Sequence, residues 1–282
     1  MKAPVIVDSH VHLWNPGKFR YAWLDALPAL NRPLCPADLK AAGDSAPVQK
    51  FIFVECGCDA SQCAAEVDWV ATLVTEEPRL KGIVAHASLE KGLAARADLE
   101  SLAGRPLVKG VRRNLQAEND DFWNRPGLLE GLKLLPGFNF TFDLCVRASQ
   151  LPIVLKLVRQ APEVTFVLDH FGKPAVRNGS FEPWAHDLRT LAEMPNVVCK
   201  ISGLITEADG SRWTPADLAP YFEHALECFG PSRVLFGSDW PVVTLAATYE
   251  VWVETVMKLV DRISETERKQ LFQTNAERIY RV

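Results

Sequence analysis

An alternation of short apolar runs with helical stretches restricts the fold of this chain more than any other feature. Runs rich in apolar and β-branched residues begin at Val5 (VIVDSHVH), Lys50 (KFIFVEC), Gly82 (GIVAHAS), Val108 (VKGVRR), Asn139 (NFTFDLC), Val164 (VTFVLDH), Val197 (VVCKIS) and Val234 (VLFGSD). Several are apolar at nearly every position, as strands buried on both faces of a parallel sheet must be. Between them, residues 59–76 place Ala64, Val67, Val70, Ala71 and Val74 at helical spacing behind Asp59 as a candidate N-cap. Thr214-Pro215-Ala216-Asp217 sets a capping Thr before a Pro at the first helical position, in a helix that ends at Gly230-Pro231. Ser264-Glu265-Thr266-Glu267 reads as the capping box of a last helix that carries the chain to Tyr280. Weaker helical patterns cover residues 96–103, 125–135, 148–160, 184–194 and 246–263.

Eight strands alternating with helices over 282 residues predict an α/β fold, one (β/α)8 barrel spanning 1–282, with its site at the C-terminal ends of the strands. A doubly wound sheet would want a Gly-rich phosphate turn after its first strand, and His10-Val11-His12-Leu13-Trp14 stands there instead. Residues 13–36 are too long for a plain turn and hold Trp14, Phe19, Tyr21 and Trp23. They form either a hydrophobic plug on the barrel or a lid over a pocket.

Charge and cysteine usage narrow the function. A net charge of −4 leaves no basic surplus to neutralise phosphates, so no nucleic-acid partner is expected. No apolar run approaches the roughly 18 to 20 residues that span a bilayer. The N-terminal stretch holds one Lys and no signal-peptide apolar core, so the expected location is the cytoplasm, away from the membrane. Seven cysteines, with no Cys-x-x-Cys pair, read as reduced thiols. Cys56, Cys58 and Cys63 have a spacing that matches no common zinc site and read as small core residues. No organic cofactor is expected, and the sequence does not specify an oligomeric state.

The period of two along each strand then nominates the residues at the barrel mouth. Ile6, Asp8, His10 and His12 share a face in the first strand, and Glu55 falls in line with Phe51 and Phe53 in the second. The third strand ends at His86, the fourth at Arg112, the fifth at Asp143 and the sixth at His170. Lys200 and Ser202 share a face in the seventh, and the eighth ends at Asp239. Four of the six histidines fall at these ends. His10 and His12, two apart on a strand, point the same way and can share one ligand or metal. Arg112 either clamps a carboxylate or carbonyl, or pairs with Glu55 or Asp143. Lys200 is either a Schiff-base nucleophile or the partner of a rim carboxylate. His186 and His224 fall on helices and read as solvated.

Four blocks, Val7-Asp8-Ser9-His10-Val11-His12-Leu13-Trp14, Asp169-His170-Phe171-Gly172-Lys173-Pro174, Lys200-Ile201-Ser202-Gly203-Leu204 and Gly237-Ser238-Asp239-Trp240-Pro241, are joined by Asn275-Ala276-Glu277-Arg278-Ile279-Tyr280 at the C-terminus. In this order they resemble the amidohydrolase superfamily, in particular its sugar-lactone hydrolase branch of the L-fuconolactonase and L-rhamnonolactonase type. The binuclear members carry a bridging Lys or Glu on the fourth strand and a His on the fifth, where this chain has Arg112 and Asp143. The resemblance therefore implies at most one zinc or other divalent metal, on His10, His12 and Asp239 with His170 beside them, in a branch that includes metal-independent members. It implies opening of a small sugar lactone, such as L-fucono-1,5-lactone or a similar deoxysugar lactone, to the free acid. Asp239 would be the base, and His10, His12, His170, Arg112 or a metal would polarise the carbonyl. Glu55, His86, Asp143 and Lys200 would bind sugar hydroxyls, and Trp14, Trp23 and Trp240 would cover an apolar face. The alternatives are a metal-dependent decarboxylase on the same scaffold and a barrel that binds a ligand without turning it over.

Overall fold

Each of the eight apolar runs forms a strand in the computed structural model, which describes residues 5–43 and 46–282. Residues 1–4, part of the N-terminal stretch read above, lie outside the described residues, as do 44 and 45. The strands are β1 (Ile6–Val11), β2 (Val48–Val54), β3 (Leu80–His86), β4 (Val108–Arg112), β5 (Thr141–Leu144), β6 (Phe166–Leu168), β7 (Val197–Ile201) and β8 (Val234–Phe236). They pair in parallel in sequence order. The sheet closes on itself just past β8, where Asp239 N donates to His10 O at 2.9 Å and His12 N to Trp240 O at 2.7 Å. The architecture is a single-domain (β/α)8 barrel.

Strand side chains divide into two layers. Val7, Ile52, Val54, Val84, Val167, Val198 and Leu235 fill the barrel interior. Phe51, Phe53, Ile83, Val111, Phe142, Phe166 and Ile201 belong to the larger core between sheet and helices. Strict alternation is therefore broken in β1: its register against β2 shifts between Asp8 and Val11. This corrects the expectation that Ile6 and Asp8 share the face of His10 and His12. Asp8 Oδ2 instead accepts from Tyr249 OH at 2.9 Å, and its Oδ1 accepts from Ser238 N, 2.9 Å away, at the β1–β8 seam. Phe51 and Phe53 likewise face the helices, so Glu55 reaches the mouth from beyond the end of β2 and not along their face.

The helix signals hold where capping chemistry is explicit. The helix Pro215–Phe229 begins after Thr214, whose N–H and hydroxyl both donate to Asp217 Oδ2, and it stops at Gly230. Ser264 and Glu267 exchange N-terminal hydrogen bonds, and the helix they open continues through a π turn at Gln270–Thr274 to Tyr280. Asp59 makes no capping bond, and the regular helix there starts only at Cys63. Residues 13–36 are a packed plug: Trp14 and Tyr21 are buried, Trp14 Nε1 donates to Leu30 O, and Tyr21 OH donates to Glu66. Among the described residues no helix is long and apolar enough to cross a membrane.

Candidate active site

Local backbone geometry aims the polar groups into the mouth of the barrel. The irregular register in β1 turns both His10 and His12 inward, and Gly237 makes room for them: a Cβ there would lie 2.9 Å from the His10 Cβ. His170 and Asp239 stand two and three residues past the ends of the short strands β6 and β8, in the left-handed region at φ 54° and 60°, so the chain turns sharply at each. Gly203, at φ 62°, gives His170 its space, since a Cβ there would come within 2.6 Å of His170 Nδ1. That nitrogen is fixed by Ser202 Oγ at 2.9 Å.

Three imidazoles surround one carboxylate oxygen. Asp239 Oδ1 lies 3.4 Å from His12 Nε2, 3.7 Å from His10 Nε2 and 4.0 Å from His170 Nε2. Burial pushes the Asp239 carboxyl up, but His170, His12 and His10 outweigh it and hold the group well below the usual carboxylate range. Burial brings His170 down to about 4, against the opposing pull of Asp239 and Asp169. Burial and the charge of Lys200 push His10 down as well. At neutral pH the centre thus holds an ionised carboxylate beside two uncharged imidazoles.

Beneath this ring lies a fully buried layer of charge. Lys200 Nζ sits 2.6 Å from Asp143 Oδ2 and 3.1 Å from Asp169 Oδ1, and Tyr280 OH donates to Asp143 Oδ2 at 2.7 Å. Arg112 bonds Glu55 Oε1 at 2.7 Å and Asp169 Oδ2 at 3.2 Å. The structural-pair reading of Arg112 and Lys200 therefore describes their contacts, with Glu55 and not Asp143 as the Arg112 partner. Asp143 and Lys200, with no exposed surface, lie below the rim where hydroxyl contacts had been expected. Trp14 and Trp240 are also closed inside the core at 0% and 2% exposure, so neither offers a ring face to a ligand. His86 stays half-buried, its Nε2 3.3 Å from Ser88 Oγ. His224 is buried rather than solvated, with Nε2 2.8 Å from Ala185 O, whereas His186 is exposed. Cys56, Cys58 and Cys63 are buried free thiols in the core.

Asp169 is the residue that the sequence argument passed over. It contacts His10, Lys200 and Arg112 at once. The sequence carries a signal for it, because Asp169 alternates in phase with Val167, an interior residue.

Beside the ring, a cavity of about 570 Å³ is lined by residues from the loops after β4 to β7, among them Gln116, Arg147, Lys173 and Glu207. Lys173 Nζ donates to Gln116 Oε1 at 2.6 Å and stands 4.0 Å from Glu207. Burial, reinforced by the negative charge of Asp239, pushes the Glu207 carboxyl up.

The donor set fits one divalent cation. His10, His170 and Asp239 each offer a ligand atom within 4.8 Å of the others. The His10 and His12 Nε2 atoms lie 3.2 Å apart, close to the edge of about 3.4 Å between nitrogens of a tetrahedral zinc site. Three imidazoles and a carboxylate are the chemistry such a site uses. His10, His12, His170 and Asp239 are the residues that would hold the ion.

The chain resembles known proteins over nearly its whole length. An L-fucono-1,5-lactonase of Burkholderia ambifaria is 31% identical over 98% of this chain and 95% of its own length. The enzyme of the same name from Burkholderia multivorans is 32% identical, over 97% and 95%. The crystal structure of a Burkholderia multivorans amidohydrolase with bound zinc superposes with a TM-score of 0.87 at 30% identity, covering 99% of both chains. The amidohydrolase family model matches residues 7–282. The chain belongs to the amidohydrolase family.

Proposed function

We propose that this protein is a lactonase that opens a sugar lactone, of the L-fucono-1,5-lactone class or a similar deoxysugar lactone, to the free acid. The observation that carries the reading is Asp239, an ionised carboxylate ringed by three imidazole Nε2 atoms at the mouth of the barrel. The names and full-length coverage of the Burkholderia relatives support the substrate class.

The chemistry follows from the placement of donors and acceptors. Water bonded to Asp239 attacks the lactone carbonyl carbon while its proton passes to the carboxylate. An N–H of the imidazole ring stabilises the oxyanion as the carbonyl π bond breaks. Collapse of the tetrahedral intermediate breaks the bond to the ring oxygen, and the proton held by Asp239 passes to that oxygen as it leaves. Water and lactone give one hydroxy acid, and Asp239 is restored. A divalent metal bound to the imidazoles would add Lewis-acid polarisation and a more acidic water. Lys173, Gln116 and Glu207 face the neighbouring cavity with donors and acceptors matched to sugar hydroxyls.

The test is acid release from a panel of aldonolactones, before and after chelation. Rapid hydrolysis of a deoxysugar lactone supports the reading. Silence across the panel contradicts it and leaves decarboxylation of an unsaturated acid as the reaction to assay next.

A further inference from the structure

The cysteines that follow β2 take no part in the lactone chemistry, and two of them meet. Cys58 Sγ lies 3.7 Å from Cys63 Sγ, and both are buried free thiols. Among the described residues no other two thiols are in contact. Their neighbour Cys56 turns away, its Sγ 3.3 Å from Leu13 O and 3.5 Å from Val54 O. A disulfide bond is about 2.05 Å long, so the two sulfurs have about 1.7 Å to close. Cys58 sits outside any helix or strand, directly behind Gly57 at φ 65°, and only the short turn Ala60–Gln62 and Asp59 separate it from Cys63. Cys58 S–H donates to Cys63 Sγ, and that bond, followed by burial, pushes the Cys58 thiol up. Cys63 is thus the sulfur that attacks, from the first residue of the helix Cys63–Thr72, and Cys58 completes the exchange.

We infer that Cys58 and Cys63 are a reversible dithiol–disulfide pair, oxidised in the folded protein by a low-molecular-weight disulfide, whose bond ties down the anchor of the plug formed by residues 13–36. The anchor lies on the same turn. Asp59 N donates to Arg20 O at 3.0 Å, Arg20 N donates to Gln62 Oε1 at 2.7 Å, and Trp23 Nε1 donates to Cys56 O at 2.8 Å. The bond closes a ring, residues 58–63, around the two points that hold Arg20. In the first step the Cys63 thiolate attacks one sulfur of the small disulfide, which forms a mixed disulfide and releases a small thiolate. Cys58 gives its proton to that thiolate and attacks the Cys63 sulfur, expelling the second small thiolate, which takes up the proton that Cys63 had lost to solvent. Two protein thiols are oxidised by two electrons, and one small disulfide is reduced to two thiols. The inference stands apart from the lactonase reading, since neither Cys58 nor Cys63 contacts the ring of imidazoles.

Excess hydroxyethyl disulfide, added to the folded protein, tests the pair. The remaining thiols are then alkylated, and cleavage before aspartates parts Cys58 from Cys63 at Asp59. The two fragments should stay joined, lighter by two hydrogen atoms than the separate pair, until dithiothreitol releases them. Sequencing of the joined species should place the bond on Cys58, and Cys58→Ser should abolish it while Cys56→Ser keeps it. Alkylated Cys58 and Cys63, a hydroxyethyl adduct left on Cys63, or a bond to Cys56 overturns the pair. If either variant does not fold, the wild-type fragments still decide. Hydrogen exchange at the Arg20 amide should slow several-fold in the oxidised protein and not in treated Cys58→Ser. An unchanged rate in the oxidised wild type overturns the tie to the plug.

Discussion

Asp239 and His170 show how burial and neighbours divide the labour of ionisable side chains. Asp239 is buried yet stays charged because imidazoles face it, and His170 is buried and stays neutral because desolvation outweighs the two nearby carboxylates. This has a consequence for stability. The folded pKa of His170, about 4, lies below its ordinary value of 6.5, so the unfolded chain takes up this proton first as pH falls. Its contribution is whole above pH 6.5 and is lost as pH falls toward 4, by about 3 kcal/mol. His170→Gln removes the linkage. The gap in melting temperature between wild type and variant should narrow progressively between neutral pH and pH 4.5, and a constant gap would contradict the assigned neutral state. Since Asp239 is ionised and His10 and His170 are neutral from mildly acidic to neutral pH, kcat/KM should stay flat over that range. A rate profile falling through the normal histidine range would contradict this.

The loops that follow the strands set the site's geometry and its selectivity. Gly203 holds φ 62° in a space where a Cβ would strike His170. Gly203→Ala should therefore displace the ring and lower kcat about tenfold or more with circular dichroism unchanged. Full activity in the variant would show that the ring tolerates the shift. Lys173 and Glu207, on the loops after β6 and β7, face the cavity beside Asp239. Lys173→Met and Glu207→Gln should each raise KM for polyhydroxylated lactones about tenfold and leave unsubstituted lactones nearly unaffected. Equal losses on both substrate types would assign them to something other than hydroxyl recognition. At this scale the sequence was readable to different depths. His170 and Asp239 stood out because Phe171-Gly172 and Trp240-Pro241 end their strands sharply. The face of Asp8 was misread because a period of two cannot reveal the shifted register in β1. Trp14 and Trp240 were misplaced for a related reason, since the aromatic content of a loop does not say which rings pack inward.

Across the whole molecule, the alternation of strands and helices was sufficient to specify the barrel, because eight parallel strands with short helical crossovers have few other ways to bury both faces. What the alternation did not reveal is that the C-terminal helix packs against the interior of the barrel. Ala276, Ile279 and Tyr280 pack with the inner strand residues, and Tyr280 OH reaches Asp143 beneath Lys200. Contacts between residues so distant in sequence leave no local pattern. Tyr280→Phe removes this donor from a buried, charged acceptor and should lower stability by about 1–3 kcal/mol. Chemical denaturation measures the loss, and an unchanged midpoint would show that Lys200 and Thr141 satisfy Asp143 without Tyr280.

The ring of imidazoles around one carboxylate makes Asp239 the central claim, and the most direct measurement is acid release from a deoxysugar aldonolactone by wild type and Asp239→Asn side by side. Asparagine keeps the shape and removes the base. Wild type should hydrolyse the lactone, and folded Asp239→Asn should lose about a hundredfold or more in kcat/KM. A folded Asp239→Asn protein that opens the lactone at the wild-type rate would contradict the assignment of Asp239 as the base.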